Sequence, residues 1–303
     1  MQPKIIVVGS SNTDMVVKLP RLPSKGESII GGEFVMPAGG KGANQAVAAA
    51  RLGAHVAFVA RLGNDMFGDQ ALAGFNAEGV NTAFIVRDDT APSGVALIFV
   101  DTNGDNMLAV APGANARLSP ADVDKAEQAI ASADALVLQL EIPLETVRHA
   151  LRVARRHGVR TVLNPAPAQA LPADVLALVD VLTPNEHEAT LLCGQGKQTI
   201  EQAARLLRTM GVGTVVVTLG REGAMIVSAQ GEQRVRGFTV KAVDTTAAGD
   251  AFTAALACAL ARGDSLPAAV RFANAVGALT VTTVGAQPSL PTAAEVQAFL
   301  ASR

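Results

Sequence analysis

From about residue 119 onward, short apolar runs alternate with amphipathic stretches. The runs are A-L-V-L-Q-L at residues 135–140, T-V-L-N at 161–164, V-D-V-L-T at 179–183, T-V-V-V-T-L at 214–219 and A-M-I-V at 224–227. Helically spaced segments lie between them, such as residues 143–157 and 199–210. Near-continuous apolar strands separated by helices predict a mostly parallel sheet buried on both faces, an α/β fold. The apolar run at residues 4–8 and the alanine-rich helix predicted at 43–52 join the same core.

Two stretches depart from this rhythm. Residues 15–36 hold V-V-K-L, a P-x-x-P turn region and G-E-S-I-I-G-G-E-F-V. Residues 94–110 hold G-V-A-L-I-F-V, the turn D-T-N-G-D-N and M-L-A-V. Asn103-Gly104 between apolar runs signals a tight hairpin. Antiparallel strands inserted into an α/β body make a lid or an interface; the plainer alternative is an extension of the main sheet. The chain, residues 1–303, reads as one α/β domain, with a small antiparallel lid at about 15–37 and 94–111.

Composition narrows the function. With 303 residues, 49% of them hydrophobic, a large core is feasible. A formal net charge of −2 gives no footprint for nucleic acid or an anionic membrane. Trp and Tyr are absent, so any adenine pocket should be mostly aliphatic and glycine-lined. Two cysteines, Cys193 and Cys258, suggest neither a disulfide framework nor a zinc site. Cys258 reads as a small core residue. The longest apolar run, near residues 251–261, falls short of the roughly 18 residues of a membrane span. The opening M-Q-P-K-I-I-V-V lacks the pattern of a secretory signal. The expected location is the cytoplasm.

The common nucleotide signatures are missing: no G-x-x-x-x-G-K-[ST] occurs, and the first strand ends in V-V-G-S-S-N-T-D rather than G-x-G-x-x-G. The chemistry lies elsewhere. In V-D-T-T-A-A-G-D, residues 243–250, the small Ala247, Ala248 and Gly249 precede an apolar helix. Free N–H groups at a helix start cradle anions, and Asp250 could take a proton from an attacking hydroxyl. By itself this run reads first as a helix start capped by Asp244 or Thr246. The run A-G-G-K-G-A-N-Q-A, residues 38–46, again leads into a helix and lets backbone approach a ligand closely. S-S-N-T-D sets Asn12 and Asp14 after the first strand, at the sheet edge where α/β proteins bind ligands. It suits a grip on vicinal hydroxyls, although by itself it reads first as a capped βα loop. Q-L-E places Glu141 at another strand end. T-P-N-E-H-E places Asn185 and Glu188 at a third, suited to the water shell of Mg²⁺. T-L-G-R-E-G at residues 218–223 ends a fourth.

These segments, in this order and along essentially the whole chain, resemble the ribokinase family of ATP-dependent sugar kinases. G-G-K-G-A-N-Q-A and D-T-T-A-A-G-D are the most specific of them. The resemblance implies a three-layer αβα core and transfer of the γ-phosphate of MgATP to the C5 hydroxyl of D-ribose. Asn12, Asp14, Gly40, Lys41, Gly42, Ala43, Asn44 and Glu141 would hold the pentose. Asp250 would be the base, and the N–H groups of Ala247, Ala248 and Gly249 the anion hole. Asn185, Glu188, Thr218, Leu219, Gly220, Arg221, Glu222, Gly223, Gly249 and Asn274 would meet MgATP. Asp244, Thr246, Thr280, Thr283, Gly285 and Ser289 would surround an activating K⁺, partly through backbone oxygens. The lid would pair two subunits into a homodimer. Family members often carry Gly where Ala247 and Ala254 stand, with little effect expected at 247, and some carry His at the place of Asn274. Related kinases for deoxyribose, another sugar or a nucleoside are the nearest alternatives. A sugar-binding protein without catalysis would have no use for Asn185 and Glu188.

Overall fold

Alternation along the buried strands determines the layering. In strand Lys4–Val8, Ile5 and Val7 turn to one side of the sheet and Ile6 and Val8 to the other, and all four are buried. Ala135–Leu138 divides in the same way. A strand apolar at every position needs helices on both faces. One face is covered mainly by helices Lys41–Arg51, Ala248–Ala261 and Leu266–Thr280. The other is covered by Leu144–Arg156 and Ile200–Thr209, with shorter helices beside them. The result is the expected three-layer αβα arrangement. This computed structural model describes residues 2–194 and 198–303.

The larger sheet has nine strands, in the spatial order Gly231–Arg236, Gly223–Ser228, Thr214–Thr218, Val181–Leu182, Arg160–Leu163, Ala135–Leu138, Lys4–Val8, His55–Gly63 and Ile85–Asp88. Pairing is parallel from Thr214–Thr218 through Ile85–Asp88, and among the first three strands each pairs antiparallel with its neighbour. The carboxyl ends of the parallel strands therefore share one edge, where α/β folds place ligands.

The smaller sheet runs Glu33–Val35, Asn12–Lys18, Gly94–Val100, Asn106–Ala111, with Ala38–Gly39 paired to the start of Asn12–Lys18. It is mainly antiparallel, as expected, although its central pairing of Asn12–Lys18 with Gly94–Val100 is parallel. The hairpin turn falls where Asn103-Gly104 predicts it. Gly104 has φ 87°, and the Asp101 carboxylate accepts the N–H groups of Asn103 and Asp105 at 2.8 and 3.0 Å. This sheet begins at Asn12, earlier than expected. Asn12 and Asp14 thus sit on a strand rather than in a βα loop.

Candidate active site

The two polar runs interlock at the carboxyl edge. Helix Lys41–Arg51 starts at Gly40, which has φ 90° and no side chain to cap the helix. The cap comes from elsewhere. The Lys41 N–H donates to Glu141 Oε2 at 3.0 Å, and Ser10 Oγ donates to the same oxygen at 2.5 Å. A Cβ on Gly42 would lie 2.5 Å from the Ser10 nitrogen, and one on Gly39 would lie 2.3 Å from Asp14 Oδ2. Glycine is required here for close approach. Ala43, buried in the first turn, donates its N–H to the Ser10 carbonyl at 2.8 Å.

The predicted amide and carboxylate grip divides in two. Asn115, which sequence reasoning missed, donates to Asn12 Oδ1 at 2.8 Å and is itself held by both backbone groups of Ser11. Asn12 therefore keeps only its Nδ2 for a ligand. The Asp14 carboxylate accepts no protein hydrogen bond among the described residues, although its backbone N–H donates to the Pro37 carbonyl at 3.0 Å. Burial, then the charges of Glu141 and Asp250, push its carboxyl up to about 7, with Lys41 opposing them. Such an acceptor, half-buried and without a protein donor, suits a ligand hydroxyl.

Asp250 lies in the first turn of helix Ala248–Ala261 and is buried. Asn44 Nδ2 donates to its Oδ2 and Gln45 Nε2 to its Oδ1, both at 3.0 Å. Burial pushes the Asp250 carboxyl upward, while the Lys41 charge and these two donors act against it. Lys41 is held above the ordinary ammonium range, chiefly by Asp250 and then by Glu141, Glu188 and Asp14. Asn44 Oδ1 is buried without a partner, a second acceptor awaiting a ligand donor.

The helix start departs from the expected cradle in one detail. The Ala248 N–H reaches the Thr245 carbonyl at 3.3 Å, so of the three predicted N–H groups those of Ala247 and Gly249 stay without a protein acceptor among the described residues. Ala247 has φ 61°, the one non-glycine residue in the left-handed region among the described residues. That conformation costs alanine about 1 kcal/mol, a modest strain where family members often carry glycine.

On the far side of Gly249 opens a cavity of about 590 Å³. Thr218, Gly220, Arg221, Glu222, Gly223, Gly249 and Asn274 line it, as predicted for nucleotide contact. Leu219 does not: it is buried in the core behind the wall. The lining is glycine-rich, but Phe238 and Phe252 add two rings that the aliphatic expectation left out. Asn274 donates to the carbonyls of Val235 and Arg236, both at 3.2 Å, so its carbonyl oxygen is what it can offer. Asn185 and Glu188 form a reciprocal cap on helix Glu186–Leu192, each bond 2.8 Å long. Glu188 Oε1 remains available, and burial pushes its carboxyl upward. No group of three or more metal-ligating side chains occurs among the described residues. One carboxylate oxygen and one amide suit Mg²⁺ held largely through its own waters.

The predicted cation residues form two adjoining loops. Asp244 Oδ1 accepts the Thr246 N–H at 2.9 Å and its hydroxyl at 2.6 Å, and Oδ2 accepts the Gly285 N–H at 2.8 Å. Burial acts against ionisation of Asp244, but these donors outweigh it and hold the carboxyl below its ordinary value. The Thr280 and Ser289 hydroxyls donate to the carbonyls of Val276 and Ala286 at 2.9 and 2.7 Å. Thr283 lies in the turn between them, its N–H toward the Thr280 carbonyl at 3.4 Å. Any cation here would meet backbone oxygens rather than free hydroxyls.

A buried carboxylate at a helix start, further acceptors beside it and a cavity of nucleotide size make up the kind of site that a small-molecule kinase requires. The pfkB family carbohydrate kinase pattern matches residues 2–293, and the chain belongs to that family. It is 43% identical to the ribokinase of Haemophilus influenzae, over 99% of each chain. It is 37% identical to the deoxyribokinase of Salmonella typhi, over 98% of each. It superposes on the structure of Arabidopsis thaliana ribokinase complexed with ribose and ATP with a TM-score of 0.91, at 33% identity and 99% coverage of both chains.

The raised Asp14 carboxyl yields a stability prediction. The unfolded chain loses this proton near 3.8 and the folded chain near 7. The folded state therefore binds more protons between those values, and stability falls as pH rises through that window. Asp14→Asn removes the penalty. Thermal unfolding without ligands should give the variant a higher Tm than the parent at about pH 8, with the gap smaller at about pH 5 and closing towards about pH 4. Equal Tm values throughout would contradict the burial of this charge.

Proposed function

We propose that the chain transfers the γ-phosphate of MgATP to the C5 hydroxyl of D-ribose, giving ribose 5-phosphate and ADP. One observation carries the reading: a single helix start presents Asp250 to Asn44 beside Asp14 and Glu141, and presents Gly249 to the 590 Å³ cavity. Acceptor and donor would meet across that helix N-terminus. The ribose and ATP bound by the Arabidopsis relative support this choice of substrates.

In this reading Asn12 Nδ2 donates to the sugar, while Asp14, Glu141 and Asn44 Oδ1 accept from its hydroxyls. Gly40, Lys41, Gly42 and Ala43 bring backbone and one cation to its edge. Asp250 takes the C5 hydroxyl proton as the oxygen forms its bond to the γ-phosphorus. The bond from that phosphorus to the β,γ-bridging oxygen breaks, and ADP leaves. The N–H groups of Ala247 and Gly249, at the positive end of the helix dipole, stabilise charge on the transferring group. Mg²⁺, held through Asn185 and Glu188, would neutralise phosphate charge. Asp244 and the backbone oxygens of Thr246, Thr280, Thr283, Gly285 and Ser289 would hold K⁺, which would stiffen the loop leading into the cradle. The smaller sheet would close over the sugar and exclude water. Its exposed Phe34, Leu97, Met107, Leu108 and Val110 support pairing of two copies through it.

Asp250→Asn should lower kcat by at least roughly 10²-fold with a smaller change in KM for ribose, measured by ADP release. Near-parental turnover would remove Asp250 as the base. K⁺ should activate more than Na⁺ in the same assay, and indifference to both would remove the cation site. In a panel of pentoses, hexoses and nucleosides, ribose should lead. A 2-deoxy sugar would leave part of the buried acceptor set unpaired, a loss of about 1–3 kcal/mol.

A further inference from the structure

Behind Asp250 lies a chain of buried polar groups that meets the site only at the Asp250 carboxylate and the Gly249 backbone. Gln139 Nε2 donates to Gln45 Oε1 at 2.5 Å, and Gln45 Nε2 donates to Asp250 Oδ1 at 3.0 Å. Gln45 also reaches Asn164 Oδ1 at 3.4 Å, and Asn164 Nδ2 donates to the Thr183 carbonyl at 3.0 Å. The Thr253 hydroxyl donates to the Gly249 carbonyl at 2.8 Å, which leaves the Thr183 hydroxyl to donate to Thr253 Oγ1 at 2.9 Å. The network thus runs from Asp250 through three strand ends and back to the same helix, one residue from where it began.

Gln45, Gln139 and Thr253 are completely buried. Two amides at such depth are unfavourable unless they are hydrogen-bonded, and apolar residues of similar size would serve the core better. Their arrangement has a direction. The Asp250 carboxylate only accepts, so it forces the Gln45 amide to present its nitrogen; Gln45 then presents its oxygen, which orients Gln139. Gly9 supplies the space, because a Cβ there would lie 2.0 Å from Gln139 Oε1.

We propose that Gln45, braced by Gln139, is a positioning residue that fixes the plane of the Asp250 carboxylate from behind for proton transfer. This rests on the reading of Asp250 as the base. The charged groups facing Asp250 are Lys41, Glu141, Asp14 and Glu188. Lys41 and the amide donors favour its ionised form, whereas burial and the three carboxylates oppose it. Loss of the Gln45 donor therefore shifts Asp250 towards protonation, and the acidic limb of activity moves to higher pH.

The test uses Gln45→Met, Gln139→Met and the double variant. Gln45→Met should lower kcat roughly 10- to 100-fold, with KM for the sugar within about 3-fold, and move the acidic limb of the kcat–pH profile up by about one unit. Gln139→Met should shift both in the same direction by less. The double variant should be no worse than Gln45→Met alone, because Gln139 acts through Gln45. An acidic limb superimposed on that of the parent, or losses that multiply in the double variant, would overturn the proposal. If Gln45→Met fails to melt cooperatively, the acidic limb of Gln139→Met decides. Carboxyl ¹³C NMR titration, with Asp250→Asn identifying the signal, separates two failures. An upward shift of the Asp250 titration in Gln45→Met relative to the parent, with no sugar-dependent ADP from the parent, removes the kinase reading and keeps the positioning. No shift, with turnover intact, removes the positioning alone.

Discussion

The site depends on one contact, the packing of helix Lys41–Arg51 against helix Ala248–Ala261 over the same sheet face. Ala43, Ala46, Ala251, Ala254 and Ala255 are buried in the cluster that joins them. Small side chains let helix axes approach towards the near end of the usual 8–10 Å range, about one alanine layer apart. Both helices follow the carboxyl edge, so their N-termini meet there. Only that meeting lets Asn44 and Gln45, from one helix, clasp the carboxylate of Asp250 from the other. The alanine richness that looks like mere helix propensity is thus a condition of the chemistry.

The same meeting explains how several carboxylates can share a small volume. Two helix starts contribute partial positive charge, and Lys41 stands among Asp250, Glu141, Glu188 and Asp14. Glu141 is used structurally, as the cap that Gly40 cannot supply, and Asp250 is pinned by two amides. The Asp14 carboxylate lacks a compensating protein donor, and burial together with the neighbouring carboxylates pushes it up to about 7. The cost of a charge held away from water thus falls on Asp14, whereas Asp250 is fixed by its two amide donors.

Much of this was legible in the chain. Near-continuous apolar runs imply a sheet covered on both faces, and Asn103-Gly104 marks the hairpin of the smaller sheet. The dense glycines of residues 39–42 imply close backbone approach, which proves to be approach to Ser10 and Asp14. What escaped did so for identifiable reasons. Strand Gly231–Arg236 is an exposed edge, too polar to show a buried pattern. Strand His55–Gly63 mixes alanine, arginine and glycine with its apolar residues, which dilutes the signal. Asn115, Gln45 and Gln139 act on residues distant in sequence, and no local pattern distinguishes them from ordinary polar positions. N-E-H-E at residues 185–188 does carry a local signal, that of a capping box. Its oxygens are shared between the helix start and any metal shell.

The most direct measurement of the whole account is the position of the phosphate on the product. Incubation with D-ribose and MgATP, followed by phosphorus–proton correlation NMR, should show a phosphate ester coupled to the two C5 protons of the sugar. That outcome requires the C5 hydroxyl to face Asp250 across the helix start from the nucleotide. A phosphate on the anomeric carbon, or ADP and inorganic phosphate with no phosphate ester of the sugar, would contradict it.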